Sequence, residues 1–329
     1  MKKLQAGAAL ASALFFCSAL SGAAHAQETP ASRAFPTKAV HLVIPFVAGG
    51  AIDVIGRLLA ERLSVSWKQP VVIENRAGAG GSVGAQYVAA AAPDGHTVLF
   101  ASTGLLHNAL LFPTQKIDPF RDFMPVSQVL TTPVAFVVSS QSAANTLPEF
   151  VVNARNKKLS YGSFGPGTTS HIYGEQFRAV TNLDLTHIPY KGEAATLPDV
   201  MNGNLAGAFL SVTSSANALK TGRVKVLAVT GRAPVQNLPG VPTLLASGFE
   251  GFESIGWFGL FAPSGTPQGV VEKISKDINA ALSDPELIKR AVAAGFDITG
   301  TTPTEFATIM RTDQERWSRM ISQLKIKVD

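Results

Sequence analysis

The sequence predicts an α/β fold built from parallel strands and crossover helices. Strand-like and helix-like runs alternate along the chain, and several strand-like runs lead through a glycine-rich turn directly into a helix. No low-complexity segment or long linker interrupts this alternation in the sequence. Strands separated by helices of this length are typical of parallel sheets, which makes α/β the predicted class.

The first 26 residues (1–26) are predicted to be a signal peptide rather than part of the fold. Lys2-Lys3 is followed by an apolar stretch to about residue 20, and Ala24-His25-Ala26 offers the small-x-small pattern that signal peptidase recognises. The apolar stretch is short for a membrane anchor, and no charged stop follows it. We therefore expect export, with cleavage near Ala26-Gln27.

The composition excludes several classes of site. The single cysteine, Cys17, lies in the predicted signal peptide, so disulfide scaffolds, iron–sulfur clusters, thiolate zinc sites and cysteine nucleophiles are excluded from the mature chain. The formal net charge is +5, of which Lys2-Lys3 carries two charges, and the remaining excess is scattered. No basic stripe suited to nucleic acid follows from it, and no nucleic-acid partner is expected.

The elements follow in order along the chain. Strands are predicted at Val40–Phe46, Pro70–Asn75, His96–Ser102, Leu159–Phe164, Leu185–Tyr190, Leu205–Ser211 and Val224–Thr230, and helices at Asp53–Val65, Ser82–Ala92 and Leu147–Lys157. Thr146-x-x-Glu149 is a capping-box pattern before the third of these helices. Two further helices close the chain, and Thr266-Pro267 and Thr302-Pro303-x-Glu305 mark their starts.

Two apolar runs without a short adjacent turn, 131–139 and 256–263, are predicted to be long strands that cross between two domains. The first domain is then discontinuous, made of residues 32–130 and 253–329. The second domain, 131–252, is inserted between these two parts. Helical and strand-like runs occur on both sides of the crossings, so both domains are expected to be α/β.

Four strand-to-helix turns carry glycine. They contain Gly49-Gly50, the stretch "RAGAGGS" (76–82), the stretch "GPGTTSH" (165–171) and Lys191-Gly192. In an open parallel sheet, ligands bind beyond the carboxyl ends of the strands, where these turns lie. Free N–H groups at a helix start suit a carboxylate or phosphate, and glycine lets the anion approach the backbone without meeting a Cβ. The four turns predict an anion-binding cleft, although any single turn is also explained as a tight connection.

Catalytic and cofactor motifs are missing from the sequence. Gly78-x-Gly80 with Gly84 is a weak relative of the dinucleotide fingerprint, and no P-loop, G-x-S-x-G elbow or H-E-x-x-H pattern occurs. An exported hydrolase would need a nucleophile and a base within hydrogen-bond reach. Only Ser163, Thr168 or Thr169 with His171 suggests such a pair. We expect no catalytic residue, no metal and no cofactor.

Several stretches carry a family resemblance. The ordered series "IPFVAGG", "VVIENRAGAGGSVGA", "GPGTTSHIYGE", "IPYKGEAATLPDVMNG" and "GWFGLFAPSGTP" resembles the Bug/TctC family, the periplasmic solute receptors of tripartite tricarboxylate transporters. The resemblance spans the chain from Phe35-Pro36 to the final helices. It implies a type II periplasmic binding protein fold, in which two α/β lobes are joined by two crossing strands and close over a ligand in the cleft between them.

The resemblance also implies a set of ligand contacts made mainly by backbone amides, short hydroxyls and ordered waters. In the first lobe they would come from Phe46, Val47, Gly49, Gly50, Gly80, Gly81, Ser82, Ser102 and Thr103. In the second lobe they would come from Ser163, Gly165, Gly167, Thr168, Thr169, His171, Tyr190 and Lys191. On this interpretation, Gly49 and Gly50 let a carboxylate reach the amides of the first helix.

One departure bears on the ligand. Amino-acid-binding members of the family tend to carry an aspartate after the strand that corresponds to "LAGAFLS", whereas residues 209–213 here contain no acid. The resemblance therefore implies a periplasmic, monomeric and non-enzymatic receptor. Its ligand would be a small mono-, di- or aromatic carboxylate without an amino group, which it delivers to the membrane subunits of the transporter. A ligand sensor for a sensor kinase, or an exported hydrolase using the same cleft, are the alternatives.

Overall fold

The computed structural model describes residues 35–49 and 51–326. The predicted signal peptide, its cleavage site and Gly50 lie outside the described residues. Within the described part, eleven strands form two sheets: β1 (Val40–Ile44), β2 (Val71–Asn75), β3 (Thr97–Ser102), β4 (Phe123–Thr132), β5 (Val134–Ser139), β6 (Leu159–Ser163), β7 (Leu185–Pro189), β8 (Gly207–Ser211), β9 (Val224–Val229), β10 (Gly256–Pro263) and β11 (Asp297–Ile298).

The six-stranded sheet has the order β11-β4-β10-β3-β1-β2, and the five-stranded sheet has the order β7-β6-β8-β5-β9. We call the six-stranded sheet with its helices the six-stranded half, and the five-stranded sheet with its helices the five-stranded half. The helices of the described part are α1 (Ala51–Trp67), α2 (Ser82–Ala89), α3 (Gly104–Leu111), α4 (Leu147–Ala154), α5 (Thr169–Thr181), α6 (Glu193–Met201), α7 (Val212–Lys220), α8 (Gln268–Ala281), α9 (Pro285–Ala293) and α10 (Pro303–Leu324).

Both sheets are mixed rather than purely parallel, which corrects the prediction of parallel sheets. β1 pairs in parallel with β2 and β3, and β6 pairs in parallel with β7 and β8. In contrast, β10 runs antiparallel to β3 and β4, and β5 runs antiparallel to β8 and β9. Alternation of strands and helices predicts only the parallel units, because β5 and β10 reach their sheets without a crossover helix.

The run 131–139 is not one strand. Thr132 ends β4 in the six-stranded sheet, Val134 begins β5 in the five-stranded sheet, and Pro133 lies between them. Proline has no N–H to donate to a ladder, so the pairing stops there and the chain changes sheet. The run 256–263 is β10 as predicted. The lobe boundaries at residues 131 and 253 stay a prediction.

The start of α10 follows its sequence signal in full, and those of α4 and α8 follow theirs in part, since Pro267 is the N-cap of α8 rather than its first residue; a third helix, α9, also lies in the closing segment. Before α10, the Thr302 hydroxyl accepts the Glu305 N–H and the Glu305 carboxylate accepts the Thr302 N–H, which completes a capping box. Before α4, Thr146 accepts the Glu149 N–H, but the Glu149 carboxylate reaches the N–H of Asn145 instead. That capping box is therefore only half formed, and α4 ends at Ala154 rather than at residue 157.

A continuous apolar core joins the two halves. One cluster contains Leu99 from the six-stranded sheet, Phe136 and Phe209 from the five-stranded sheet, and Trp257 and Trp317 beside them, all of them buried. The α10 helix takes part directly, since the rings of Trp317 and Tyr173 lie 5.5 Å apart. In the described residues, every helix is either too short or too polar to cross a membrane.

Candidate ligand-binding site

The first glycine turn is held by Asp53, a residue of the first turn of α1. The Gly49 N–H donates to Asp53 Oδ2 at 3.0 Å, with Gly49 at φ +86°. Arg57 donates to both carboxylate oxygens, at 2.9 and 3.2 Å, and Asn75 Nδ2 donates to Oδ1 at 2.8 Å. Asn75 also donates to the carbonyl of Phe46 at 3.2 Å. Asp53 therefore ties the ends of β1 and β2 to the start of α1.

Asp53 is a fixed internal anion. Burial alone would raise its pKa, but the hydrogen bonds from Arg57, Gly49 and Asn75 hold the pKa below its ordinary value. As the acid of the first turn of α1, Asp53 accepts the N–H of the preceding turn. The Gly49 N–H already donates to Asp53, so it is not available to donate to a ligand. Gly50, the other glycine of the turn, lies outside the described residues.

The second glycine turn lies against α3. Gly80 (φ +64°) and Gly81 (φ +100°) have left-handed backbone, and a Cβ at Gly80 would lie 3.1 Å from Asn108 Nδ2. Asn108 Nδ2 donates to the Gly80 carbonyl at 2.8 Å, which fixes the turn. The buried Ser82 hydroxyl donates to the Gln115 side chain. The Ser82 hydroxyl therefore donates its hydrogen bond within the protein and has no hydrogen left to donate to a ligand.

Four of the predicted residues line one pocket at the carboxyl ends of β1 and β3. Phe46, Gly80, Gly81 and Ser102 line it together with Pro45, Ala85, Ala101, Leu105 and Asn108. The Phe46 ring packs edge-on to Phe258, with centroids 6.1 Å apart. The Ser102 hydroxyl accepts the Gly104 N–H at 3.2 Å and keeps its hydrogen. Val47 lies in the adjacent turn and is 71% exposed.

Thr103 is a structural link between β3 and β10. Its hydroxyl accepts the Trp257 N–H at 2.7 Å and donates to the Trp257 carbonyl at 3.3 Å. The residue is 1% exposed. Because its hydrogen is used inside the protein, the Thr103 hydroxyl has none to donate to a ligand. The same pairing explains why Thr103, the N-cap residue of α3, makes no side-chain cap.

In the five-stranded half, the loop between β6 and α5 is built around Ser163 and Thr168. The buried Ser163 hydroxyl accepts the Gly165 N–H at 3.2 Å. The Thr168 hydroxyl donates to the Gly165 carbonyl at 2.7 Å and accepts the His171 N–H at 3.4 Å, so Thr168 is the N-cap of α5. Gly165 (φ +140°) and Gly167 (φ +72°) provide backbone that only glycine adopts readily.

Two stacked histidines support the loop between β6 and α5. The rings of His171, on α5, and His187, on β7, stack with centroids 3.9 Å apart and planes 10° apart. His171 Nδ1 accepts the Gly167 N–H at 3.1 Å, while His187 Nε2 lies 2.7 Å from the Ser163 hydroxyl. Tyr161 covers the other face of His187, with centroids 5.0 Å apart. His171 is therefore a support of the loop, 5% exposed, rather than an open ligand group.

The histidine pair is neutral in the folded protein. A ring nitrogen that accepts an N–H carries no proton, so the His171 proton is on Nε2. Burial lowers the pKa of His171 more than the nearby Glu175 raises it. Burial, with His171 alongside, lowers the pKa of His187 to about 4. Protonation of one ring would place a cation against the other ring under the loop, and protonation of both would bring two cations together.

The Thr169 hydroxyl of this loop lies toward the six-stranded half. It is half-buried, and no hydrogen-bond partner of its hydroxyl occurs among the described residues. A Cβ built at Gly256, the first residue of β10, would lie 3.8 Å from Thr169 Oγ1. A Cβ at Gly167 would lie 3.1 Å from Leu111 Cδ1 and 3.4 Å from the Phe112 ring. The loop thus closely approaches the six-stranded half.

The last two predicted residues differ in exposure. The Tyr190 hydroxyl donates to Asp199 Oδ2 at 2.5 Å, and burial together with Asp199 raises the pKa of Tyr190 to about 12. Its ring packs on the apolar cluster of α6 and β8, so the hydroxyl is committed to the protein. Lys191 is exposed. Neither residue presents a preorganised charge to the site.

Sequence reasoning missed His187 and Glu193. His187 is the register partner of Tyr161 in the β6–β7 ladder, and this pairing is the only signal that would have predicted the ring stack. The Glu193 carboxylate accepts the Ser211 N–H at 2.6 Å and the Ser211 hydroxyl at 2.7 Å. An acid therefore does lie at the end of β8, supplied by α6. The expectation that the ligand lacks an amino group stays a prediction, because this carboxylate is already bonded within the protein.

The pair suggested for a hydrolase is assembled differently from the expectation. Ser163 lies beside His187 rather than His171, and Ser163 is 0% exposed. A substrate carbonyl has no access to a hydroxyl buried in this way, and the Gly165 backbone already uses it. The residues that the structure describes also contain no group of three His, Asp or Glu side chains that would hold a metal ion.

Comparison with known proteins decides the family. A family model for the tripartite tricarboxylate transporter family receptor, TctC, matches residues 55–326. The chain belongs to this family. Protein BugT of Bordetella pertussis is 28% identical to this TctC chain over 298 residues, which cover 89% of this chain and 91% of that protein. The Bug/TctC resemblance is thereby confirmed.

Solved structures of similar proteins share the fold. The R. palustris protein Rpa4515, solved with adipate, is 31% identical and superposes with a TM-score of 0.79 over 89% of this chain and 99% of that chain. MatC from Rhodopseudomonas palustris, solved with bound malate, is 29% identical, with a TM-score of 0.76 over 87% and 100%. The TctC chain therefore has the periplasmic binding protein fold that its sequence predicts, with two mixed sheets.

Proposed function

We propose that this TctC-family chain is a non-enzymatic periplasmic receptor that captures a small organic carboxylate for uptake by a tripartite tricarboxylate transporter. The observation that carries the proposal is the loop 165–169. There, Gly167 and the half-buried Thr169 hydroxyl lie at the start of a 13-residue helix and approach the six-stranded half. A helix start of this kind favours an anion.

Similar proteins support the ligand class. Rpa4515 was solved with adipate and MatC with malate, and both ligands are carboxylates. We extend this class to the present chain because its own polar groups suit it. The neutral lining of amides and hydroxyls suits the carboxylate, while Phe46 and Leu105 offer apolar contact to a short carbon body.

The proposed contacts are narrower than the set implied by the family resemblance. We keep Phe46, Val47, Gly50, Gly80, Ser102, Thr169 and Lys191. Polar groups that bond within the protein are assigned to the support of the site, which applies to Gly49, Gly81, Ser82, Thr103, Ser163, Gly165, Gly167, Thr168, His171 and Tyr190. Export with cleavage near Ala26-Gln27, delivery to membrane subunits and a monomeric state complete the proposal.

A thermal-shift screen on ligand-free protein tests the proposal. The protein is unfolded, dialysed and refolded to remove any carried ligand, and then mixed with mono-, di- and aromatic carboxylates. A ligand at 100 times its Kd stabilises the folded state by about 2.7 kcal/mol, which raises Tm by several degrees. A screen in which no carboxylate raises Tm would contradict the proposed function.

A further inference from the structure

The carboxylate of Glu193 is held at the start of α7. Its Oε1 accepts the Ser211 N–H at 2.6 Å, and its Oε2 accepts the hydroxyls of Ser211 at 2.7 Å and of Ser214. Ser211 is at the same time the N-cap of α7, since its hydroxyl accepts the Ser214 N–H at 3.2 Å. The polar groups at the start of α7 therefore bind the Glu193 carboxylate.

The topology gives Glu193 its place relative to the proposed site. β6 lies between β7 and β8, and all three strands are parallel, so their carboxyl ends share one edge of the sheet. Glu193 follows β7, whereas Ser211 ends β8, so their contact crosses the end of β6. The loop 165–169 leaves from this same end, and Thr196 of α6 donates to the Ser163 carbonyl there at 3.3 Å.

We infer that Glu193 is a specificity-determining residue that makes this receptor select ligands with a single carboxylate. This inference rests on the proposed function. Glu193 lies at the same carboxyl edge of the five-stranded sheet as the loop 165–169, so its carboxylate adds a negative charge on the side of the loop where a bound ligand would extend. A second carboxylate near that charge is repelled, whereas an uncharged end is not. Glu193 therefore acts against dicarboxylates.

Matched pairs of acids isolate this effect. Hexanoate and adipate have the same chain length and differ by one carboxylate, as do butyrate and succinate. Calorimetry measures all four with the wild-type protein, with Glu193→Gln and with Ser214→Ala. The Gln side chain keeps an oxygen for the Ser211 N–H but removes the charge. Ser214→Ala removes one hydroxyl donor and leaves the charge, so it is the matched control.

The expected result is that the wild-type protein binds the monocarboxylate of at least one pair more tightly than its dicarboxylate. Glu193→Gln should shift the ratio of the two affinities by about tenfold toward the dicarboxylate, and Ser214→Ala should leave the ratio unchanged. Equal binding of both members by wild type, or an equal change of both in Glu193→Gln, would overturn the inference alone. Failure of all four acids to bind any of the three proteins would count against the proposed function as well.

Discussion

The imidazole rings of His171 and His187 lie face to face, 3.9 Å apart, beneath the loop 165–169. Each ring holds one end of the loop, His171 by accepting the Gly167 N–H and His187 through the Ser163 hydroxyl that accepts the Gly165 N–H. The rings come from different elements, a helix and a strand. The conformation of the loop therefore depends on a pairing that only the folded sheet brings about.

Replacement of His171 should loosen the loop according to whether an acceptor remains. His171→Leu leaves the buried Gly167 N–H without a partner, which should cost about 1–3 kcal/mol of unfolding free energy and speed exchange of that amide. His171→Asn is the matched variant, since its Oδ1 can take the place of Nδ1. Urea denaturation and amide hydrogen exchange check this. Equal losses in the two variants would show that the ring, and not the hydrogen bond, matters.

Stability should fall with acid through His187. The pKa of His187 is about 4 in the folded protein, below the ordinary 6.5, so between these pH values the unfolded chain binds the extra proton. Stability is therefore full above about pH 6.5 and decreases as the pH falls toward 4. Compared with His187→Gln, the wild type should lose about 1–2.5 kcal/mol more between pH 7.5 and pH 4.5, the lower figure allowing for the half-buried ring.

Denaturation of both proteins at the two pH values measures that difference. His107 is fully buried and its pKa is lowered by burial to about 3, so it contributes with the same sign. Because His107 is present in both proteins, its contribution cancels in the comparison. Parallel pH profiles for wild type and His187→Gln would contradict the prediction.

Adjacent threonines should separate the roles of cap and ligand contact. Thr168→Ala removes the N-cap of α5 and should cost about 1 kcal/mol of stability. Thr169→Ala removes a hydroxyl that has no partner among the described residues, so stability should hardly change. If that hydroxyl bonds a ligand carboxylate, affinity should fall by about 1.5–3 kcal/mol, or roughly 10–150-fold. Calorimetry and urea denaturation on both variants are needed, and unchanged affinity in Thr169→Ala would remove Thr169 from the site.

Asp53 should be more important for stability than its partner Arg57. Asp53→Ala strips three donors of their acceptor, and should cost about 3 kcal/mol. The Arg57 side chain is 53% exposed, so Arg57→Ala should cost only about 0–1 kcal/mol. Chemical denaturation of the two variants decides. If Asp53→Ala is no more damaging than Arg57→Ala, the first glycine turn does not depend on this carboxylate.

Local sequence patterns predict the α/β class and many of the turns and helix starts, but not the antiparallel strands that make both sheets mixed. Glycines at strand ends and prolines at helix starts fall where the structure has turns and helix caps, as at Gly80, Gly167 and Thr302. These local patterns do not predict which distant residues a side chain contacts in the folded protein. Thr103 and Tyr190 looked like free polar groups, yet Trp257 and Asp199 take their hydrogen bonds.

Glu193 shows the same limit for charge. Residues 209–213, at the end of β8, contain no acid. The structure brings the Glu193 carboxylate to Ser211 across 18 residues of sequence. Glu193 and Ser211 are neighbours because of the strand order β7-β6-β8. This order depends on the pairing of the whole sheet. Site chemistry of this kind therefore required the structure.

The central claim is that the site recognises the negative charge of a small carboxylate. Calorimetry on ligand-free protein tests it most directly, by comparing the best carboxylate of the screen with its primary amide, which has nearly the same shape but no charge. We predict one binding site per chain for the carboxylate and an affinity for the amide that is weaker by about 100-fold, the loss expected for two charge-assisted hydrogen bonds. Equal affinity for the carboxylate and the amide would contradict the account.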